Sequence, residues 1–272
     1  MNDERRTTID LNCDMGEGSG VDAQLMPLIT SANIACGGHA GDEGTMWHTV
    51  HLAAAHHVGI GAHPSYPDRE GFGRRAMAMT AAQVRREVAA QIRGLQSVAA
   101  AAGTSLQHVK PHGALYNQAA ADRDVAAAIG EAVLQVDPSL IVVALAGSPG
   151  VTVLQQMGLR VAGEAFVDRG YTPAGQLVAR GDSGALIADT GLAAKRAVRA
   201  VRDHALTAID GTELEMHADT LCIHSDTPGS VALADAVRAA LRDAGIGLAT
   251  LSDVIGATQD PGLRTQDAGR GS

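Results

Sequence analysis

The chain has 272 residues, 46% hydrophobic and 19% charged, and 21 basic against 30 acidic side chains leave a formal charge of −9. That length is ample for one sizeable core, while the acidic balance excludes a sequence-independent binder of nucleic acid or anionic membrane. No apolar run approaches the ~20 residues that span a bilayer.

In chain order, short β-type runs alternate with helical patterns. Strands are expected over 8–13, 32–36, 58–62, 106–109, 140–145, 159–166 and 220–224, with a further one over 247–251. Most are short apolar runs of the kind that parallel strands buried on both faces require. Thr80 and Gln83 form a capping box that opens a helix with Val84, Val88, Ile92, Leu95 and Val98 on one face. Another helix is expected over 189–208. Thr227 and Pro228 read as N-cap and first residue of the last long helix. Residues 256–272 lack apolar periodicity and read as a mobile tail, which leaves 1–255 as a single domain. With one Trp, three Tyr and two Phe, the core must be aliphatic. The start, MNDERRTTID, carries no apolar signal segment. Cys13, Cys36 and Cys222 form no CxxC pair, so a reducing, cytoplasmic setting is expected.

About seven βα units fit either a closed barrel or a doubly wound open sheet. The strand ends favour the barrel. Asn12, Asp14 and Glu17 follow the first strand; His39 and Asp42 the second; His63 the third; Lys110 and His112 the fourth. Glu164, Asp168 and Arg169 follow the sixth, and His224 and Asp226 the seventh. An open sheet enriches two or three strand ends, whereas a barrel gathers all of them into one mouth. The barrel therefore predicts that His39, His63, His112 and His224 converge.

Imidazoles and carboxylates around one mouth suit hydrolysis, by holding a divalent metal or sharing protons near neutral pH. Lys110, between Val109 and Pro111, has either a pKa lowered by desolvation or an anion to hold. Asp14 and Asp226 could instead cap helices. His48, His51, His56 and His57 read as a solvated helix face, and Cys13 and Cys36 as small core residues. Lys110 precedes Pro and Lys195 precedes Arg, so no GxxxxGK[ST] phosphate loop exists. The glycines at 16, 18 and 20 miss the GxGxxG spacing. An ATP site would be unconventional or lie on another chain.

The blocks IDLNCDMGEG, SANIACGGHAGDEGTM, GIGAHPSYPDREGFGRR, HVKPHGALYN, EAFVDRGYTPAGQLVARGDSGALI and LCIHSD resemble, in order, the signatures of the LamB/YcsF family. The resemblance implies an α/β fold: a distorted seven-stranded (β/α) barrel like that of the glycoside hydrolase/deacetylase superfamily. It further implies ATP-dependent opening of 5-oxo-L-proline to L-glutamate with 5-oxoprolinase subunits B and C, which would carry or share the ATP site. The chain departs from the family pattern at Gly38, usually Phe, and at Ser225, usually Gly. On this reading Asp14, His39 and His63 bind a divalent metal or the attacking water, and Asp168 or Glu17 acts as base. His112 or His224 acts as acid, Lys110, Arg74 or Arg180 holds a carboxylate or phosphate, and Asn12 and Tyr116 contact substrate. The competing readings are a stand-alone metal-dependent deacetylase or amidase and a non-catalytic protein that binds substrate for its partners.

Overall fold

A computed structural model of the chain describes residues 7–258. Seven parallel strands close into a barrel: β1 (Thr8–Met15), β2 (Ser31–Ala35), β3 (Gly59–His63), β4 (His108–Val109), β5 (Ile141–Leu145), β6 (Arg160–Phe166) and, after the hairpin β7 (Ala205–Thr207) and β8 (Glu213–Glu215), β9 (Thr220–His224). β9 pairs with both β6 and β1, which removes the sheet edge. A short β10 (Gly247–Leu248) pairs with the start of β1. Helices α1 (Asp22–Leu25), α2 (Glu43–Ala55), α3 (Ala81–Ala101), α4 (Gly113–Ala121), α5 (Arg123–Val136), α6 (Pro149–Gln156), α7 (Thr190–Arg202), α8 (Ser230–Asp243) and α9 (Leu251–Thr258) complete the fold. None of the described helices is long and apolar enough to cross a membrane.

The alternation along β1 explains the layering. Ile9, Leu11, Cys13 and Met15 are buried in the main aliphatic core, where each large aliphatic side chain contributes roughly 1.5–3 kcal/mol. The intervening Asp10, Asn12 and Asp14 turn to the barrel interior, where they bond to side chains of β2, β9 and the segment after β4. Gly61 on β3 is needed here, since a Cβ at that position would stand 2.0 Å from Nε2 of His108.

The capping box at Thr80 and Gln83 opens α3 as expected, and Asp42 caps α2 rather than facing the mouth. The expected helix over 189–208 starts at its Asp189 cap but stops at Arg202. His204 takes a left-handed φ of 49°, and the chain turns into the β7–β8 hairpin, which the sequence pattern does not reveal. The last long helix is capped by Gly229 (φ 76°), not Thr227, because the Thr227 hydroxyl donates to Asp168 instead. The expected tail also begins inside a helix. α9 covers the lower end of the barrel, with Leu251 and Ile255 packed on Ile141, Val143 and Ala162. Residues 259–272 of that expected tail lie outside the described residues.

Candidate active site

The floor of the mouth is a buried ion network. Lys110 Nζ lies 2.9 Å from Glu164 Oε1, 3.0 Å from Asp14 Oδ1, and 3.1 Å from both Asn12 Oδ1 and Cys222 Sγ. Burial alone would lower the Lys110 pKa, but the Asp14 and Glu164 carboxylates hold it well above the ordinary value. The expectation of a desolvated, weakly basic lysine is therefore overturned; the two carboxylates outweigh the burial. Asp14 also accepts from Asn33 Nδ2 at 2.9 Å, and its second oxygen stands 3.4 Å from His63 Nε2. Against the burial that would raise its pKa, His63 and Lys110 hold Asp14 well below the carboxylate range. It caps no helix.

Beside this floor stands a histidine wall. Glu17 Oε1 lies 2.8 Å from His39 Nε2, 3.2 Å from His112 Nδ1 and 3.7 Å from His63 Nε2. The rings of His39 and His112 stack with centroids 3.7 Å apart, and Phe72 packs edge-on against both. His63 Nδ1 is anchored on the Lys110 carbonyl at 2.7 Å, and His112 Nε2 on the Phe72 carbonyl at 2.9 Å. Phe72 sits at φ 54°, a left-handed backbone that a non-glycine residue adopts only under local constraint. With both outer nitrogens donating to carbonyls, His63 Nε2 and His112 Nδ1 face each other at 2.9 Å. One of them must then carry a proton, or a cation must sit between them. Burial pushes His39 down to about 4 and lowers His112, whereas the Asp14 charge overcomes burial and raises His63. Where a proton and not a cation joins the pair, these opposite directions favour His63 as its carrier.

The same donors form a candidate metal centre. The ligand atoms of Glu17, His39, His63 and His112 all lie within 4.8 Å of one another, as do those of Asp14, Cys222 and His224. Carboxylate plus imidazole, with two rings anchored on carbonyls, is a donor set suited to a zinc-like ion. His39 Nδ1, by contrast, is buried with no hydrogen-bond partner among the described residues. The sequence grouping of Asp14 with His39 and His63 is thus split between two clusters: His39 and His63 fall with Glu17 and His112, Asp14 falls with Cys222 and His224, and His63 reaches across to Asp14.

Opposite lies Asp168, whose Oδ2 accepts from the His224 amide at 3.0 Å and the Thr227 hydroxyl at 2.8 Å, with both oxygens 3.1 Å from His224 Nδ1. Burial opposes its ionisation, but the facing His224 lowers its pKa. His224 Nε2 points back towards Asp14 at 3.9 Å, and its ring stacks on Phe166. Above these, Arg74 and Arg180 both bond to Asp226, the latter at 3.1 Å. Asp226 is therefore a counterion and not a helix cap.

A cavity of about 330 Å³ opens between these walls. Asp14, His63, Arg74, Lys110, His112, Tyr116, Arg180 and His224 line it, as do Arg169, visible in the sequence at the end of the sixth strand, and Asn117 and Phe166, which strand-end spacing does not single out. The remaining candidates stand behind the lining. Asn12 spends its amide on Glu164, Thr220, Asn33 and Lys110. Glu17 and His39 back the histidine wall, and Asp168 backs His224. Glu164 is visible in the sequence as a strand-end carboxylate, but only its approach to Lys110 gives it a place in the site. Tyr116 OH and Glu164 Oε2 have no hydrogen-bond partner among the described residues. At Gly38 a Cβ would meet Ser65 Oγ at 2.5 Å and the Gln91 amide at 2.8 Å. Gln91, bonded to both backbone polar groups of Ser65, occupies that space. His48, His51, His56 and His57 sit on or beside the outer face of α2, as expected.

The sequence profile of the LamB/YcsF family matches residues 9–256. The A subunit of 5-oxoprolinase from Syntrophobacter fumaroxidans is 50% identical over 242 residues, covering 87% of this chain and 96% of the relative. That from Staphylococcus carnosus is 46% identical over 248 residues, with 89% and 98% covered. The crystal structure of the lactam utilization protein from Thermus thermophilus superposes with a TM-score of 0.83 at 44% identity, covering 90% of this chain and all of that one.

Proposed function

This chain belongs to the LamB/YcsF family, and from that membership and the chemistry of its mouth we propose that it is the A subunit of an ATP-dependent 5-oxoprolinase, the component that hosts hydrolysis of 5-oxo-L-proline to L-glutamate. The observation that carries this reading is near-full-length identity of 44–50% to relatives named as A subunits of 5-oxoprolinase. The site chemistry agrees with it. A five-membered lactam is an unstrained amide with a poor leaving group, so ring opening needs an activated carbonyl, a positioned water and a proton for the nitrogen.

The chain has no phosphate loop, so subunits B and C are assigned the ATP site and the activation of the amide oxygen. In this barrel Glu17 stands behind the cavity lining and takes the proton of the attacking water through His63 and His112, which face both Glu17 and the cavity. Lys110 and Asp14 fix the polarity of the floor beneath the carbonyl carbon. His224, held by Asp168, delivers a proton to the departing nitrogen; Asp168 is thus a positioning residue rather than the base. Arg74 and Arg180 hold the substrate carboxylate or a phosphoryl group, while Tyr116 and Phe166 wall the ring. Where a divalent ion instead of a proton joins His63 and His112, Glu17, His39, His63 and His112 would hold it, and it would lower the pKa of the attacking water. The protein is placed in the cytoplasm, where ATP is available.

The test is glutamate formation from 5-oxo-L-proline and ATP by subunits B and C, with and without this chain. Glutamate appearing only with the chain present is the expected result. The anchored histidine cluster also favours a second reading, a metal-dependent amidase acting alone. Stoichiometric bound zinc with ATP-independent amide cleavage would establish that reading in place of the first.

A further inference from the structure

The outer wall of the cavity carries more positive charge than the chain neutralises. Arg74, Arg169 and Arg180 all line it. Arg74 and Arg180 share the single carboxylate of Asp226. Arg169, 5% exposed, spends Nε and Nη2 on the carbonyls of Ala185 and Val178 and has no carboxylate ion pair among the described residues. Within ion-pair distance the three guanidiniums meet one carboxylate, and Asp168, the acid that also acts on Arg169, is itself bound to His224 and Thr227, which leaves a surplus at the rim on a chain whose net charge is −9. The deeper cation, Lys110, is already matched by Asp14 and Glu164, so the surplus belongs to the rim.

The three arginines come from two segments far apart in sequence. Arg74 follows β3 with its guanidinium over the Phe72 ring at 4.8 Å, whereas Arg169 and Arg180 lie in the loop after β6. Asp226, just past β9, bonds to guanidiniums from both segments. It lies outside the cavity lining, and its side chain is 30% exposed. A carboxylate placed there is a replaceable counterion: it keeps two guanidiniums apart from solvent anions until a better acceptor arrives.

We infer that Arg74, Arg169 and Arg180 form a subsite for a dianionic phosphoryl group on a small organic ligand, with Asp226 as the built-in counterion that this group displaces. Two extra negative charges match the surplus, and guanidinium forks match tetrahedral oxygens. The cavity, about 330 Å³, suits a phosphorylated five-membered ring better than a whole nucleotide. The identity of that ring rests on the 5-oxoprolinase reading; the subsite itself does not.

The test is calorimetric titration of the full chain alone with inorganic phosphate and, separately, with ATP, so failure to form glutamate with subunits B and C leaves it unaffected. Asp226→Asn is expected to bind phosphate roughly tenfold more tightly than wild type, and Arg180→Gln roughly tenfold more weakly, the size of one charge-assisted contact. ATP is expected to bind no more tightly than phosphate. Thermal melting of each variant within a few degrees of wild type shows that the fold is retained. Unchanged or weaker phosphate binding by a folded Asp226→Asn would overturn the exchange. Unchanged binding by Arg180→Gln would overturn the subsite. Arginine-dependent binding of ATP without phosphate would make it a nucleotide site instead.

Discussion

Asp10 and Asp14 lie four residues apart on one face of one strand, both fully enclosed by the same barrel, yet they are pushed in opposite directions. Asp10 meets only neutral hydroxyls, from Ser31 at 2.6 Å, Thr30 at 2.7 Å and Thr220 at 2.5 Å, and burial raises its pKa to about 6. Asp14 meets Lys110 and His63, whose charges overcome the same burial. Enclosure costs both carboxylates alike, so the partner's charge decides in which direction each carboxyl's pKa moves. The lower end of the barrel is thus built to hold a strand register, and the upper end to keep charge ready for chemistry.

The largest expected effect tests that contrast from the cation's side. Lys110→Met leaves Asp14 and Glu164 buried without their counterion and should lower unfolding stability by about 3–5 kcal/mol, read by urea denaturation. A loss under about 1 kcal/mol would mean the carboxylates are satisfied without the lysine.

Next comes Asp10. Its raised pKa makes the folded chain bind a proton more tightly than the unfolded chain. Its contribution is therefore most favourable below pH ~4 and is lost as pH rises through about 6, by on the order of 3 kcal/mol. Asp10→Asn should remove that slope, so the stability of the variant relative to wild type should improve from pH 4 to pH 7. Parallel pH–stability curves for the two proteins would assign the slope to other groups.

Asp14→Asn keeps the shape and removes the charge; glutamate formation should fall at least ~100-fold with the fold intact. Near-normal turnover would remove Asp14 from the chemistry and make the upper end as structural as the lower. The smallest effect is expected at Asp168→Asn, which loosens the orientation of His224. The rate should drop roughly tenfold and the pH profile should move, with KM little changed. A change in KM alone would point to substrate contact.

Much of this was legible in the sequence. The seven barrel strands appear as short apolar runs, and the polar residues that follow six of them, Asp42 apart, gather at one mouth. The fifth strand, which carries none, supplies only apolar residues such as Ile141 and Val143 to the plugged lower end. The capping box of α3 is a local hydrogen-bond pattern and reads correctly for that reason. Failures occur where a distant contact overrides a local signal. Thr227 looks like a cap but serves Asp168, and 256–258 look like tail but belong to the helix that closes the barrel. The hairpin at 205–215 was hidden because an alanine-rich pattern continues past the point where His204 turns the chain.

Side-chain types and their order along the chain, which are local properties, thus specify that this is a barrel with a histidine- and carboxylate-lined mouth. Tertiary structure alone decides who neutralises whom. It sets Lys110 between Asp14 and Glu164, groups His39 and His63 around Glu17, and gives Arg74 and Arg180 one shared carboxylate. A buried charge takes its state from neighbours a few ångströms away, and in this fold those neighbours come from strands far apart in sequence.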